Sequence, residues 1–254
     1  MSEFLALDDG RRIEFEFVGE SAPSEPDIVM LHEGLGSVAM WKDFPRRVAA
    51  ATGRRVLVYS RLGYGKSTPL HAPWQPDYMH REARHWLPEV LKRLEVPDPV
   101  LFGHSDGASI ALIYAATWPR SVTALVLLAP HVMVEPLTIS SIAKTKVAYE
   151  TTELRDRLSR FHDDVDSTFR GWNDIWLAPQ FARWDIEALL SKITAPTLAI
   201  QGVDDEYGTL DQIHRIKARV TQAQLCELPN CRHSPHRDQP DLVLARTAEF
   251  LARH

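Results

Sequence analysis

Five short runs without polar interruption constrain this chain most: Ile28–Leu31, Val56–Tyr59, Val100–Phe102, Ala124–Leu128 and Thr197–Ile200. A strand with one solvated face alternates apolar and polar residues, so continuous runs of this length predict strands covered on both faces. Helical stripes lie between them. Met79, Ala83, Trp86, Leu87, Val90, Leu91 and Leu94 recur at the spacing of one buried helix face, with Pro88 placed to kink it; Leu210, Ile213, Ile216 and Val220 make a second stripe, and Val243, Phe250 and Leu251 a third. Strands alternating with helices predict an α/β fold built on a doubly wound, mostly parallel sheet. Residues Phe4 to Val18 alternate instead, around Asp9-Gly10, and predict an N-terminal β-hairpin followed by a Pro-rich connection, Ala22 to Pro26. Leu225 to Leu228 reads as a short last strand.

One stretch breaks this rhythm. From 131 to 190 there is no buried-strand run, only helical patterns carrying Phe161, Phe169, Trp172, Trp176, Phe181 and Trp184. A structureless loop of that length does not suit a compact domain, so the expectation is a helical cap at 131–190 inserted into a core made of 1–130 and 191–254. A chain of 254 residues suits one such core. Hydrophobic residues at 44% and charged residues at 25% exclude a disordered or fibrous design. No apolar run approaches the roughly 18 to 20 residues of a membrane span, and Met1 to Phe4 lack signal-peptide character, so the expected location is cytoplasmic with no membrane partner. A formal charge of -5 carries no basic footprint for nucleic acid. Cys226 and Cys231 match no disulfide framework or zinc spacing and are read as reduced and structural.

The chemistry-bearing segment is Gly103-His104-Ser105-Asp106-Gly107, a G-x-S-x-G sequence set directly after an apolar strand and before the helical run Ala108 to Trp118. A serine on so sharp a strand-to-helix turn needs small neighbours, and the helix that follows aims its N-terminal N–H groups at the reaction centre. The plainer reading makes Ser105 and Asp106 N-cap residues of a buried helix. A serine nucleophile also needs a histidine base and a carboxylate to orient it. Asp204, Asp205 and Glu206 follow the strand Thr197–Ile200, at the strand end where open α/β sheets place their sites. His233 and His236 lie in the loop after the last strand, and either could swing over Ser105.

These segments together resemble the α/β-hydrolase superfamily over nearly the whole chain, Phe4 to Leu251. The matching strings are Leu31-His32-Glu33-Gly34-Leu35-Gly36, Arg61 to Ser67, Gly103 to Gly107, Gly202 to Asp205 and His233 to Pro240. The resemblance selects Asp205, three residues after the glycine that ends its strand, and His233, seven residues before a proline. It implies that the N–H groups of Gly34 and Asp106 form the oxyanion hole. Glu33 departs from the family's pattern by replacing a glycine; it is expected either to pair with a cation such as Arg61 or to take part in substrate selection or water positioning. Ser60, where many relatives carry an acid, is a second departure.

The implied activity is hydrolysis of a carboxylic ester or lactone, or of a thioester, through Ser105, His233 and Asp205, with no metal or organic cofactor. Carbon–carbon bond hydrolysis of ring-cleavage products and cofactor-free perhydrolysis use a similar constellation, and a non-catalytic ligand receptor is the reading from another class. Epoxide and haloalkane hydrolases place Asp where Ser105 stands. The expected partner is a small apolar or aromatic acyl compound beneath Trp172 and Trp176, although aromatic residues at helical spacing also simply pack a core. A monomer or homodimer is expected.

Overall fold

The computed structural model describes residues 2–21, 25–71 and 74–254; of the expected Pro-rich connection, Ala22, Pro23 and Ser24 lie outside them. Among the described residues eight strands form one sheet: β1 (Glu3–Ala6), β2 (Arg12–Val18), β3 (Ile28–Leu31), β4 (Val56–Tyr59), β5 (Val100–His104), β6 (Ala124–Leu128), β7 (Thr197–Gly202) and β8 (Gln224–Leu228). Their spatial order is β1-β2-β4-β3-β5-β6-β7-β8. β1 and β2 are antiparallel to their neighbours, and β3 through β8 run parallel. The five apolar runs are the central strands, with every residue of β3, β4, β5, β6 and β7 buried. That is the consequence of covering a sheet on both faces.

The helices are α1 (Phe44–Thr52), α2 (Tyr78–Arg81), α3 (Leu87–Arg93), α4 (Asp106–Thr117), α5 (Pro136–Thr151), α6 (Leu154–Leu158), α7 (Val165–Trp176), α8 (Glu187–Leu190), α9 (Asp211–Arg219), α10 (Pro235–Asp238) and α11 (Pro240–Leu251). One layer of the core gathers α4 and the 78–94 helices against one face of the sheet, and a second gathers α1 and α11 against the other. The stripe 79–94 changes winding just before Pro88: a wider π-type turn, Glu82–Trp86, joins α2 to α3 and accommodates a residue that brings no N–H to the helix ladder. The hairpin loop is wider than a two-residue turn: Leu7 N–H donates to the Arg11 carbonyl at 2.8 Å, and Gly10 takes φ +84° within it.

Helices α5 to α8 all lie between β6 and β7; the only extended pairing there is a single bridge, Met133 with Asp185. The acid absent at Ser60 arrives from another strand. Glu14 of β2 is buried, and its Oε2 accepts from Ser60 Oγ at 2.8 Å and from Lys66 N at 3.0 Å. Among the described residues no helix is long and apolar enough to cross a membrane.

Candidate active site

The strand-to-helix turn after β5 gives Ser105 a backbone conformation of φ 53°, ψ −118°, which a side chain adopts only at a cost of about 1–3 kcal/mol. The surroundings enforce it. Ser105 N–H donates to the Leu128 carbonyl on β6 at 2.9 Å. Gly107 lets α4 pass against β3, since a Cβ there would run into the Leu31 and His32 carbonyls, and a Cβ on Gly103 would strike the Ala108 backbone. The glycines therefore make the serine's geometry possible.

Two distant loops meet this serine. His233 Nε2 stands 3.0 Å from Ser105 Oγ, and His233 Nδ1 stands 2.9 and 3.0 Å from the two oxygens of Asp205. The carboxylate fixes the tautomer: Nδ1 carries the hydrogen, and the Nε2 lone pair faces the hydroxyl. Asp205 Oδ1 also accepts from the N–H groups of Tyr207 (2.8 Å) and Gly208 (3.2 Å), and Oδ2 from Gln201 Nε2 (3.1 Å). Burial alone would raise the pKa of Asp205, but His233 and the Tyr207 N–H outweigh it and hold the carboxyl below its ordinary value. Burial would lower His233; Asp205 overrides this and raises it. The neighbouring carboxylates serve other ends: Asp204 is exposed, and Glu206 Oε2 accepts the His233 main-chain N–H at 3.2 Å. His236 does not reach the serine. It is buried 4.9 Å from the Trp41 ring and 5.4 Å from Phe44, centroid to centroid, and burial pushes its pKa far down.

The loop after β3 carries Gly34. Its shape is held by His32, whose Nδ1–H donates to the Glu33 carbonyl at 2.7 Å while its Nε2 accepts the Arg61 N–H at 3.1 Å. The Arg61 guanidinium donates to the carbonyls of His32 and Glu33, both at 3.1 Å. This corrects the expectation for Glu33: Arg61 binds its main chain, whereas its carboxylate faces His104 Nδ1 at 3.5 Å and Arg237 at 3.6 Å. Arg61 serves as a carbonyl clamp because a planar guanidinium can hold two acceptors at once. Trp172 of α7 lies directly over Gly34, where any Cβ would overlap the indole.

Asp106 begins α4, so its N–H has no partner within the helix. Its side chain, which the sequence did not flag, is only 1% exposed, accepts from Tyr78 Oη at 2.6 Å, and lies 4.0 Å from Arg61; Tyr78 Oη in turn accepts from Trp176 Nε1 at 2.9 Å. Burial raises the Asp106 pKa against the opposing pull of Arg61 and Tyr78. Ser105, His233, Gly34, Asp106, Glu33, Trp172 and Trp176 all line one cavity of about 120 Å³. His131 also lines it. Its ring is 5.6 Å from that of His233, and burial pushes its pKa down to about 4, leaving it neutral near pH 7. Both cysteines are free, and burial pushes the Cys231 thiol up to about 12.

The alpha/beta hydrolase family profile matches residues 28–246. The chain belongs to the alpha/beta hydrolase family. Among its relatives, a 2-hydroxy-6-oxo-6-phenylhexa-2,4-dienoate hydrolase of Burkholderia cepacia is 24% identical over 278 residues, covering 99% of this chain and 96% of the relative. A proline iminopeptidase of Levilactobacillus brevis is 24% identical over 283 residues, covering 94% and 93%. Among solved structures, the enol-lactonase from Burkholderia xenovorans LB400 superposes with a TM-score of 0.73 at 20% identity, over 98% of this chain and all of that one. The profile match establishes the family and the structural likeness the fold; the named substrates belong to the relatives.

Proposed function

We propose that this alpha/beta hydrolase is a serine hydrolase that cleaves a small, uncharged carboxylic ester or lactone through an acyl-enzyme. The observation that carries this reading is the continuous chain Ser105 Oγ, His233 and Asp205, closed by contacts of 3.0 and 2.9 Å beneath the cavity. His233 takes the Ser105 proton as the oxygen attacks the carbonyl carbon, and the N–H groups of Gly34 and Asp106 receive the developing oxyanion. His233 then returns the proton to the leaving alkoxide. A water, deprotonated by the same nitrogen, releases the acid and restores Ser105. Residues 131–190 act as a cap, with Trp172 and Trp176 bounding the acyl group.

Carbon–carbon bond hydrolysis is the second reading, because relatives that act on oxodienoates span nearly the whole chain. Against it, the cavity wall carries Glu33 and Asp106 and, among the described residues, no arginine or lysine to hold a substrate carboxylate. A thioester carbonyl suits the same groups. The test is a fluorophosphonate probe on purified protein with the labelled residue located by mass spectrometry, repeated on Ser105→Ala and His233→Ala. Labelling at Ser105 that disappears in both folded variants supports the hydrolase; an unlabelled but folded wild type moves the receptor reading forward. Parallel assays on aryl esters, lactones and a ring-cleavage dienoate separate the two chemistries, and faster turnover of the dienoate would overturn the ester assignment.

A further inference from the structure

His104 fills the variable position before Ser105, is buried, and touches two groups whose chemistry fixes where its hydrogens lie. Its Nε2 is 2.8 Å from the main-chain carbonyl oxygen of His233. A carbonyl only accepts, so Nε2 carries hydrogen. Its Nδ1 faces Glu33 Oε2 at 3.5 Å, an ion-pair distance, and makes no hydrogen bond among the described residues. A neutral ring protonated on Nε2 would turn the Nδ1 lone pair toward a carboxylate, a repulsion that burial magnifies. A hydrogen on both nitrogens converts the same contact into attraction.

Glu33 is built to be that counter-charge. Its side chain folds back over Gly36, where any Cβ would overlap Oε2, and its other oxygen lies 3.6 Å from Arg237. Burial alone would raise the Glu33 pKa, but His104 and then Arg237 hold it well below the usual carboxylate range. His236, 4.8 Å from His104 ring to ring, is neutral and adds no competing positive charge.

We propose that the Glu33 carboxylate pairs with the His104 ring and, through it, clamps the main-chain carbonyl of His233, making both of them positioning residues for the base. The proposal rests on the hydrolase reading above. Residue 233 is then held at both ends of its backbone, its carbonyl by His104 and its N–H by Glu206. Glu33 also acts through charge. The groups facing His233 are Asp205, Glu206 and Tyr207 from the loop after β7, Glu33 from the loop after β3, Asp106 from α4, His104 from β5, His131 from the loop after β6 and His236 from α10; Asp205, Glu206 and Glu33 favour its charged form. A general base must be neutral to act, so activity rises with pH through the His233 titration. Losing the Glu33 charge moves that limb to lower pH.

The deciding measurement is nitrogen-detected NMR of the histidine rings in the full-length resting protein, with Glu33→Gln alongside. The wild-type His104 ring is expected to keep N–H character on both nitrogens to higher pH than the Glu33→Gln ring does. Kinetically, Glu33→Gln and Glu33→Gly are expected to lower kcat about tenfold with KM nearly unchanged and to move the acid limb downward, while Glu33→Asp recovers part of the loss. A His104 ring whose nitrogens behave alike in folded wild type and Glu33→Gln, or Glu33 variants with unchanged kcat and pH profile, overturns the clamp. The two failures are distinguishable: a His104 ring that responds to Glu33 without fluorophosphonate labelling removes the hydrolase reading and with it the positioning role, leaving only the pair, whereas labelling with a His104 ring indifferent to Glu33 removes the clamp alone. Thermal unfolding of each variant shows that the fold is retained, and Glu33→Gln keeps the side-chain shape should Glu33→Gly fail to fold.

Discussion

Two cavities lie on either side of Tyr78 and Asp106, and they differ in what they contain. The one beside Tyr64, Trp74, Tyr78 and Trp86 has a volume of about 250 Å³ and mixes those four rings with Arg11, Arg61, Arg81 and Glu82. The one over Ser105 is about half that size and holds the serine, the paired histidine and two carboxylates. Among the described residues the larger space holds no comparable chain of serine, histidine and carboxylate: Arg61 at its edge is occupied by main-chain carbonyls, and buried Glu82 accepts from Tyr59 Oη at 2.9 Å. Space and chemistry separate because a reactive serine must sit at a strand end with a strained turn and converging loops, which a gap between helices and rings does not supply.

The strongest way to break this contrast is to remove the proposed nucleophile. Ser105→Ala is expected to lower ester turnover by roughly four to six orders of magnitude, while Trp86→Ala in the larger cavity leaves kcat within about twofold. Steady-state assays on both variants check this; a large loss in Trp86→Ala would make the second cavity part of the site. Asp205→Asn is next, with kcat expected to fall about 10⁴-fold because the amide no longer fixes the His233 tautomer. The pH profile sharpens the point. Because Asp205 raises the His233 pKa, the acid limb of kcat/KM lies above the ordinary histidine value in wild type, and any residual activity of Asp205→Asn titrates at lower pH.

Trp172→Ala removes a buried indole from the roof over Gly34 and is expected to cost about 3–5 kcal/mol in urea unfolding, while admitting bulkier acyl groups in a chain-length series. Loss of stability with unchanged acyl preference would assign Trp172 to the core alone. The smallest effect belongs to the wall between the cavities. Tyr78→Phe deletes the hydroxyl that joins Trp176 to Asp106 and is expected to cost about 1–2 kcal/mol, with a change of only a few-fold in kcat/KM.

The central strands were legible because burial on both faces leaves a local mark, an uninterrupted apolar run, and the serine turn because its glycines are local steric requirements. Asp205 and His233 were legible as neighbourhoods, and the choice over Asp204, Glu206 and His236 came from family spacing. In the structure the choice has a physical cause: the Tyr207 and Gly208 N–H groups turn the Asp205 carboxylate inward, while His236 is drawn into the Trp41 and Phe44 cluster. A cation partner for Glu33 was expected and Arg237 is one, but Arg61 was the wrong example, because an ion pair between elements distant in sequence has no periodicity. Arg61 was near enough in sequence to suggest itself, yet His104 and Arg237 come from β5 and α10.

By itself, then, the sequence determined the α/β alternation, the strand-turn-helix around Ser105 and the helical character of 131–190, each a consequence of interactions between residues a few positions apart. Only the tertiary structure decided that Ser105 and His233, 128 positions apart, share a hydrogen bond, that Trp172 covers Gly34, and that Tyr78 and Trp176 reach the carboxylate of Asp106. Those contacts depend on how the sheet's strand ends and loops converge, a global property of packing that no local pattern encodes.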